Sequence, residues 1–227
     1  MFDFQGTLAQ LESPERSVEL AARQCGIELP PYRAVVLGDA LGALGWPGSG
    51  LPAKVTPSFA RAWADRDLSQ DAHREAYVAL ASQTSGAFEG FAEAVYERLR
   101  EPDGWVAYPD AIPALEALRR DNVPTALVSN IGFDMRPVAR HLGFDHLIDH
   151  WVLSYEIRRC KPEPVIFREA CIRLRVDPEE ALMVGDSLDD AAAKELGCRV
   201  YLLPHTPPGE AIGLDAVRRL VCGERAA

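Results

Sequence analysis

Two patterns of apolar positions meet at a turn-forming Pro-Asp-Gly run, residues 102–104. Before this run, from residue 14 onward, apolar residues recur at the three- and four-residue spacing of amphipathic helices. The pattern therefore predicts that residues 14–104 are wholly helical. The positions that carry it are Val18, Leu20, Ala21, Val35, Leu41, Leu44, Phe59, Trp63, Tyr77, Leu80, Phe88, Phe91, Val95 and Leu99.

After the run, short β-rich apolar stretches alternate with helical ones. This alternation predicts βαβ units and an α/β fold, a Rossmann-like parallel sheet with helices on both faces. In such sheets, ligands bind at the carboxyl ends of the strands. The predicted strands are 125–129, 147–153, 181–184 and 200–203, and the predicted helices are 113–120, 136–142, 164–174 and 191–196.

The charge balance narrows the range of partners. The chain of 227 residues has a formal net charge of -10, which opposes binding to nucleic acids or anionic membranes because both need clustered Lys and Arg. Its apolar runs are too short to span a bilayer, and its start lacks a secretory signal pattern, so we expect a cytoplasmic protein. The five widely spaced cysteines predict free thiols rather than a zinc or redox motif.

Polar residues follow the predicted strands, where a ligand site is expected. Asp3 begins the segment Asp-Phe-Gln-Gly-Thr directly after Phe2, and Ser129 and Asn130 follow the strand 125–129. Lys161 precedes the helix 164–174, and the acidic segment 185–190, Gly-Asp-Ser-Leu-Asp-Asp, follows the strand 181–184. Each residue alone is typical of a turn, a helix N-terminus or the surface. Their order and spacing together indicate one site.

This set resembles the haloacid dehalogenase superfamily, in which an aspartate-led loop, a Ser or Thr, a Lys and an acidic loop follow in this order. The segment 154–167 also resembles the subgroup that has a helical cap between the first two motifs. The resemblance implies a core formed by residues 1–13 and 105–227, with an inserted all-helical cap, residues 14–104. It further implies a hydrolase that acts on a phosphorylated small molecule.

The resemblance also implies roles for the motif residues. Asp3 would be the nucleophile, and Mg²⁺ would be held by Asp3, the backbone carbonyl of Gln5 and Asp186. Asp190 would bind the ion directly or lie one shell out. The remaining implied contacts to the phosphoryl group are Thr7, Ser129, Asn130 and Lys161.

Gln5 departs from the pattern of the family's phosphatases, which have a second aspartate at this position as general acid and base. An amide cannot exchange a proton at useful pH. The leading interpretation is a phosphatase that cleaves good leaving groups or recruits another acid from residues 14–104, such as Asp, Glu or His73. General acid-base catalysis contributes about 10²- to 10⁴-fold in rate, so the difference matters.

Two other interpretations stay open. Phosphonate-cleaving relatives lack the aspartate and form an imine through a cap lysine, for which Lys54 is the one candidate within residues 14–104. Alternatively, the protein binds a phosphorylated metabolite or a partner without turnover. A dehalogenase is less favoured because those enzymes need no magnesium, whereas residues 185–190 keep an acidic metal-loop pattern.

Specificity is expected to lie in residues 14–104, because a cap closes over the site. The segment 38–50, with five glycines, predicts a flexible loop that faces the site and moves on closure. No heptad run indicates a coiled-coil dimer. Trp46 and Trp63 are candidates for an apolar or stacking wall of the site. The candidates for contact with a second anionic group are Arg33, Arg61 and Arg66.

Overall fold

The computed structural model describes residues 1–206 and 209–223. Its strands are short and mostly buried. They are β1 (Ala9–Leu11), β2 (Trp105–Ala107), β3 (Ala126–Ser129), β4 (His150–Leu153), β5 (Leu182–Gly185) and β6 (Arg199–Leu202).

The helices occupy the remaining apolar-periodic stretches. Five of them lie between β1 and β2, where no strand interrupts them. The helices are α1 (Pro14–Gln24), α2 (Pro31–Gly42), α3 (Ala60–Asp65), α4 (Gln70–Ala81), α5 (Phe91–Arg100), α6 (Ala111–Arg120), α7 (Arg136–Leu142), α8 (Ser154–Ile157), α9 (Pro164–Leu174), α10 (Leu188–Ala191) and α11 (Asp215–Cys222). Short 3₁₀ turns cover Arg66–Leu68, Pro102–Gly104, Asp145–Leu147, Pro178–Glu180 and Ala192–Leu196.

The predicted α/β class is confirmed, with a parallel sheet at its centre. Strand β3 pairs with β4, and β5 pairs with β6, both in parallel. Phe2 joins the two pairs, because it forms parallel bridges to Leu127 on one side and to Val184 on the other. Its amide donates to the Ala126 carbonyl at 2.8 Å. The residue after it, Asp3, therefore stands at the carboxyl end of the central position of the sheet.

An antiparallel pair that the sequence pattern did not predict frames the helical stretch. Strand β1 pairs with β2 from Ala9 opposite Ala107 to Leu11 opposite Trp105. Three residues are too few to show the alternation that identifies a strand. Beside the pair, buried Arg98 contacts Glu12 at 2.7 Å and Asp103 at 2.5 Å. The chain thus leaves the sheet region after β1 and returns to it beside the same strand, at β2.

The core runs without a break from the sheet into the helices between β1 and β2. One cluster of buried side chains includes Leu127 and Val184 of the sheet together with Leu41 and Leu80 of the helices. Burial of this apolar surface holds the helices against the sheet. Within the described ranges, no helix has both the length and the apolar character to cross a membrane.

The expectation that residues 38–50 form a loop is wrong for its first part. Gly38 and Gly42 lie inside α2, and both are buried. A Cβ atom at Gly38 would lie 2.6 Å from the Cα of Glu15, because α1 and α2 cross closely there. This glycine permits a close helix crossing rather than a turn. Only residues 43–50, after the end of α2, lie outside a helix.

We expect Gly38→Ala to destabilise the fold by about 1–3 kcal/mol, because the added methyl group meets the backbone of α1. The higher helix propensity of Ala, about 1 kcal/mol, offsets part of this loss. Urea unfolding measures the difference. Gly42→Ala is the matched control, since its nearest contact would be an ordinary 3.5 Å to Ser49. Equal stability of the two variants would contradict the close crossing.

Candidate functional site

Asp3 occupies the end of the central strand position in a buried setting. Its backbone amide donates to the Val184 carbonyl at 2.9 Å, and the residue is only 6% exposed. Burial raises the pKa of Asp3 to about 7, with further upward contributions from Asp190 and Asp186 and a downward one from Lys161. The accumulation of carboxylates around one buried group is therefore unfavourable without additional positive charge.

Lys161 supplies one positive charge directly beside Asp3. Its ammonium group donates to Asp3 Oδ1 at 2.5 Å and to Asp190 Oδ1 at 2.6 Å. Burial alone lowers the pKa of Lys161, but the two carboxylates outweigh it and raise the pKa, so the side chain is charged. An ammonium group held this tightly neutralises negative charge without needing to reorganise.

Both carboxylate oxygens of Asp190 accept hydrogen bonds, which fix the orientation of its side chain. Oδ1 accepts from Lys161, and Oδ2 accepts from the Ser187 hydroxyl at 2.6 Å and the Ser187 amide at 3.1 Å. Ser187 in turn caps α10 by accepting from the Asp190 amide. A Cβ atom at Gly185 would lie 2.2 Å from Asp190 Cγ, so only glycine leaves room for this arrangement. The acidic loop therefore orients Asp190 toward Lys161.

The three carboxylates of Asp3, Asp186 and Asp190 form a cluster that suits a hard divalent cation. Their ligand atoms lie within 4.8 Å of one another. Asp186 is exposed and packs against the turn at Gly6, where a Cβ atom would come within 2.2 Å of its Oδ2. Carboxylate oxygens are the ligands that Mg²⁺ prefers. This set of oxygen donors fits magnesium. Asp3 and Asp186 accept fewer side-chain hydrogen bonds than Asp190 and so have oxygen atoms left to bind an ion.

The loop after β3 lies on the other side of Asp3. Ser129 is buried and lines the same cavity. The Asn130 side chain forms two hydrogen bonds with the backbone of Lys161. Its Oδ1 accepts from the Lys161 amide at 2.7 Å, and its Nδ2 donates to the Lys161 carbonyl at 2.8 Å. Asn130 thus positions the lysine, a role that the sequence did not predict.

Most of these groups line one cavity of about 570 Å³, which also reaches the helices between β1 and β2, whereas the fully buried Asp190 does not line it. Its lining includes Trp46 and Arg66 of the predicted candidates. Trp63, Arg33 and Arg61 do not line it. The predicted site residues that do line it are Asp3, Gln5, Ser129, Asn130, Lys161 and Asp186.

Thr7 and His73 are placed differently from the sequence prediction. Thr7 is fully buried and does not line the cavity, so the geometry gives no support for its contact with a substrate. His73 is 1% exposed beside the Tyr96 hydroxyl, and burial lowers its pKa to about 3. A histidine kept neutral outside the cavity is a poor proton donor. Gln5 is exposed and lines the cavity, where its amide adds no titratable group.

Known proteins with similar sequences include phosphatases of small phosphorylated metabolites. The glyceraldehyde 3-phosphate phosphatase of Methanopyrus kandleri is 43% identical over 83 residues, 36% of each chain. The phosphoglycolate phosphatase of Pasteurella multocida is 27% identical over 206 residues, 90% of this chain and 84% of that one. The chain spans 36% to 51% of the length of the first curated relatives it matches.

Solved structures show the same fold. A crystal structure of a haloacid dehalogenase-like phosphatase from Thermococcus onnurineus superposes with a TM-score of 0.60 at 24% identity, over 99% of this chain and 98% of the other. The sequence model described as haloacid dehalogenase-like hydrolase matches residues 1–197. With the family's motifs gathered at the carboxyl end of a parallel sheet, the chain belongs to the haloacid dehalogenase-like hydrolases.

Proposed function

We propose that the protein is a magnesium-dependent phosphatase that acts on a phosphorylated small molecule through an aspartyl-phosphate at Asp3. The observation that carries the proposal is the contact of buried Asp3 with Lys161 at 2.5 Å, beside the carboxylate cluster and facing the cavity. Relatives named as phosphatases of small phosphorylated metabolites support the reaction class.

In this proposal, a carboxylate oxygen of Asp3 attacks phosphorus and the bond to the leaving oxygen breaks. Lys161 neutralises charge on Asp3 and on the transferring group, and Ser129 with the loop that follows binds a phosphoryl oxygen. Water then attacks the phosphorus of the aspartyl-phosphate, which releases inorganic phosphate and restores the Asp3 carboxylate. Each residue acts at a position that the strand ends define.

Asp3, the Gln5 carbonyl and Asp186 would hold the magnesium ion, with Asp190 in the surrounding shell. Asp190 is assigned to that shell because Lys161 and Ser187 already donate to its two oxygens. The bound ion would polarise a phosphoryl oxygen and offset the crowding of carboxylates. We further propose that residues 14–104 act as a cap over the core of residues 1–13 and 105–227.

The imine interpretation receives less support from the geometry. Lys54 is exposed, and it does not line the cavity that contains Asp3. An imine-forming lysine must reach the substrate beside the nucleophile. Among the described residues, no contact specifically favours binding without turnover. The pairing of Asp3 with Lys161 suits covalent chemistry.

Phosphate release from a panel of phosphorylated metabolites and simple phosphonates tests the proposal. Glyceraldehyde 3-phosphate and 2-phosphoglycolate are the first probes. We expect release from phosphate esters with Mg²⁺, loss of release with a chelator, and recovery when Mg²⁺ is restored. Absence of release from every ester would contradict the proposal, whereas release from phosphonates alone would favour carbon-phosphorus cleavage.

Asp186→Asn should raise the Mg²⁺ concentration that gives half-maximal activity by at least about tenfold, because one charged ligand is lost. Asp189→Asn is the control from the same loop, since Asp189 is exposed and lies outside the carboxylate cluster. Titration of activity with Mg²⁺ measures both variants. An unchanged Mg²⁺ requirement in Asp186→Asn would rule out Asp186 as a ligand.

A further inference from the structure

A phosphatase with glutamine at position 5 needs its proton donor elsewhere in the cavity. Among the carboxylates that line the cavity, Asp3, Asp186 and Asp189 lie at the sheet end and Asp67 lies on the helical side. Asp67 is in the 3₁₀ turn Arg66–Leu68, between α3 and α4. It is only 5% exposed, which is unusual for an aspartate.

Direct contacts hold Asp67 close to the loop that carries Ser129. Its backbone carbonyl accepts from the Ser154 hydroxyl at 2.6 Å, and the same Ser154 oxygen accepts from the Ile131 amide at 2.8 Å. Next to this bridge, Gly132 packs so tightly on His73 that a Cβ atom would lie 2.2 Å from the His73 Cβ. These contacts therefore fix the position of the turn that carries Asp67 on the phosphoryl-binding side of the cavity.

The charges around Asp67 hold its carboxyl group in place. Arg66 Nη2 lies 3.3 Å from Asp67 Oδ2, while the Arg66 guanidinium stacks 4.5 Å over the Trp63 ring and donates to the Trp63 carbonyl. Burial raises the pKa of Asp67, and the charges of Arg66 and Lys161 act in the opposite direction. The titratable groups that face it are Arg66, His73, Tyr77, Cys160 and Lys161.

We propose that Asp67 is the general acid and base of this enzyme, in place of the carboxylate that Gln5 lacks. The inference rests on the proposed phosphatase function. When Asp3 attacks phosphorus and the bond to the leaving oxygen breaks, the Asp67 carboxyl proton passes to that oxygen, which leaves as an alcohol. When water attacks the aspartyl-phosphate, the Asp67 carboxylate takes its proton, and the bond from phosphorus to Asp3 breaks.

Leaving groups of different basicity test the role. A poor leaving group such as an alkyl phosphate needs the proton, whereas p-nitrophenyl phosphate departs without it. We expect Asp67→Asn to lower kcat/KM, which covers the steps up to phosphorylation of Asp3, about 10²-fold on the alkyl ester and less than about threefold on p-nitrophenyl phosphate. Hydrolysis of the aspartyl-phosphate, which is common to both substrates, should slow equally for both. Asp71→Asn, the same change at an exposed carboxylate of α4 outside the cavity, controls for charge and should match wild type on both.

Rescue separates catalysis from folding. We expect the double variant Gln5→Asp with Asp67→Asn to recover alkyl phosphate hydrolysis, because a carboxyl group returns to the cavity. Equal losses of kcat/KM on both substrates, or no rescue, would overturn the role of Asp67 while the phosphatase function stands. No magnesium-dependent release by wild type on either substrate would overturn the proposed function and this inference together.

Discussion

Asp3→Asn should lower magnesium-dependent phosphate release by at least about 10³-fold, because an amide cannot serve as the attacking oxygen anion. The substitution keeps the side-chain shape in a position that is only 6% exposed. It removes one of the two carboxylates that contact Lys161, and Asp190 remains as the partner at 2.6 Å. The fold should therefore survive, so the loss reports chemistry.

Two measurements secure that interpretation. The melting temperature of Asp3→Asn should stay near that of wild type or rise, since burial already opposes the charge of Asp3. Acid quench after mixing with substrate should trap a phosphorylated protein in wild type and none in the variant. Turnover by Asp3→Asn at more than a tenth of the wild-type rate would contradict a covalent step at this residue.

Lys161→Met should lower kcat/KM by about 10²- to 10³-fold, the size expected for loss of one preorganised charge at a reacting group. Without the ammonium group, the buried carboxylates of Asp3 and Asp190 lose the cation that both contact, and the pKa of Asp3 should rise further. A higher Mg²⁺ concentration should partly restore activity. Steady-state kinetics at several Mg²⁺ concentrations measure both effects.

Lys54→Met is the matched control, because it removes the same group from an exposed position outside the cavity. We expect wild-type kinetics on phosphate esters from this variant. Full activity in Lys161→Met would remove the lysine from the proposed mechanism. A selective loss in Lys54→Met on a carbonyl-bearing phosphonate would instead support imine chemistry.

The location of the site at the carboxyl ends of the strands was predictable, because parallel strands bring these ends to one edge of the sheet. Asp3, Ser129, Lys161 and Asp186 indeed line one cavity, although they are far apart in the chain. Local signals were enough here, since a buried apolar run followed by a polar turn identifies a strand end. The pair of β1 and β2 escaped prediction, because a three-residue strand has no period to detect.

The role of glycines was harder to predict. Gly38 and Gly42 looked like loop residues, yet both lie inside α2, and Gly38 permits a close crossing of α2 over α1. Propensity favours a turn at such residues, and the space available in a helix contact overrides it. Likewise, His73 looked like a candidate acid until packing placed it beside Tyr96, where burial keeps it neutral.

The sequence by itself determined the fold class, the order of the motifs and the residues at the strand ends, because these depend on local patterns and on the geometry of parallel sheets. Tertiary structure alone decided the surroundings of each group. Asp67 is fixed as a buried carboxyl group in the cavity by the contact of its backbone with Ser154, 87 residues away in the sequence. Asn130 positions Lys161 through hydrogen bonds between residues 31 positions apart. Burial and the distance to neighbouring charges set the chemistry of a side chain, and both arise only when distant segments pack together.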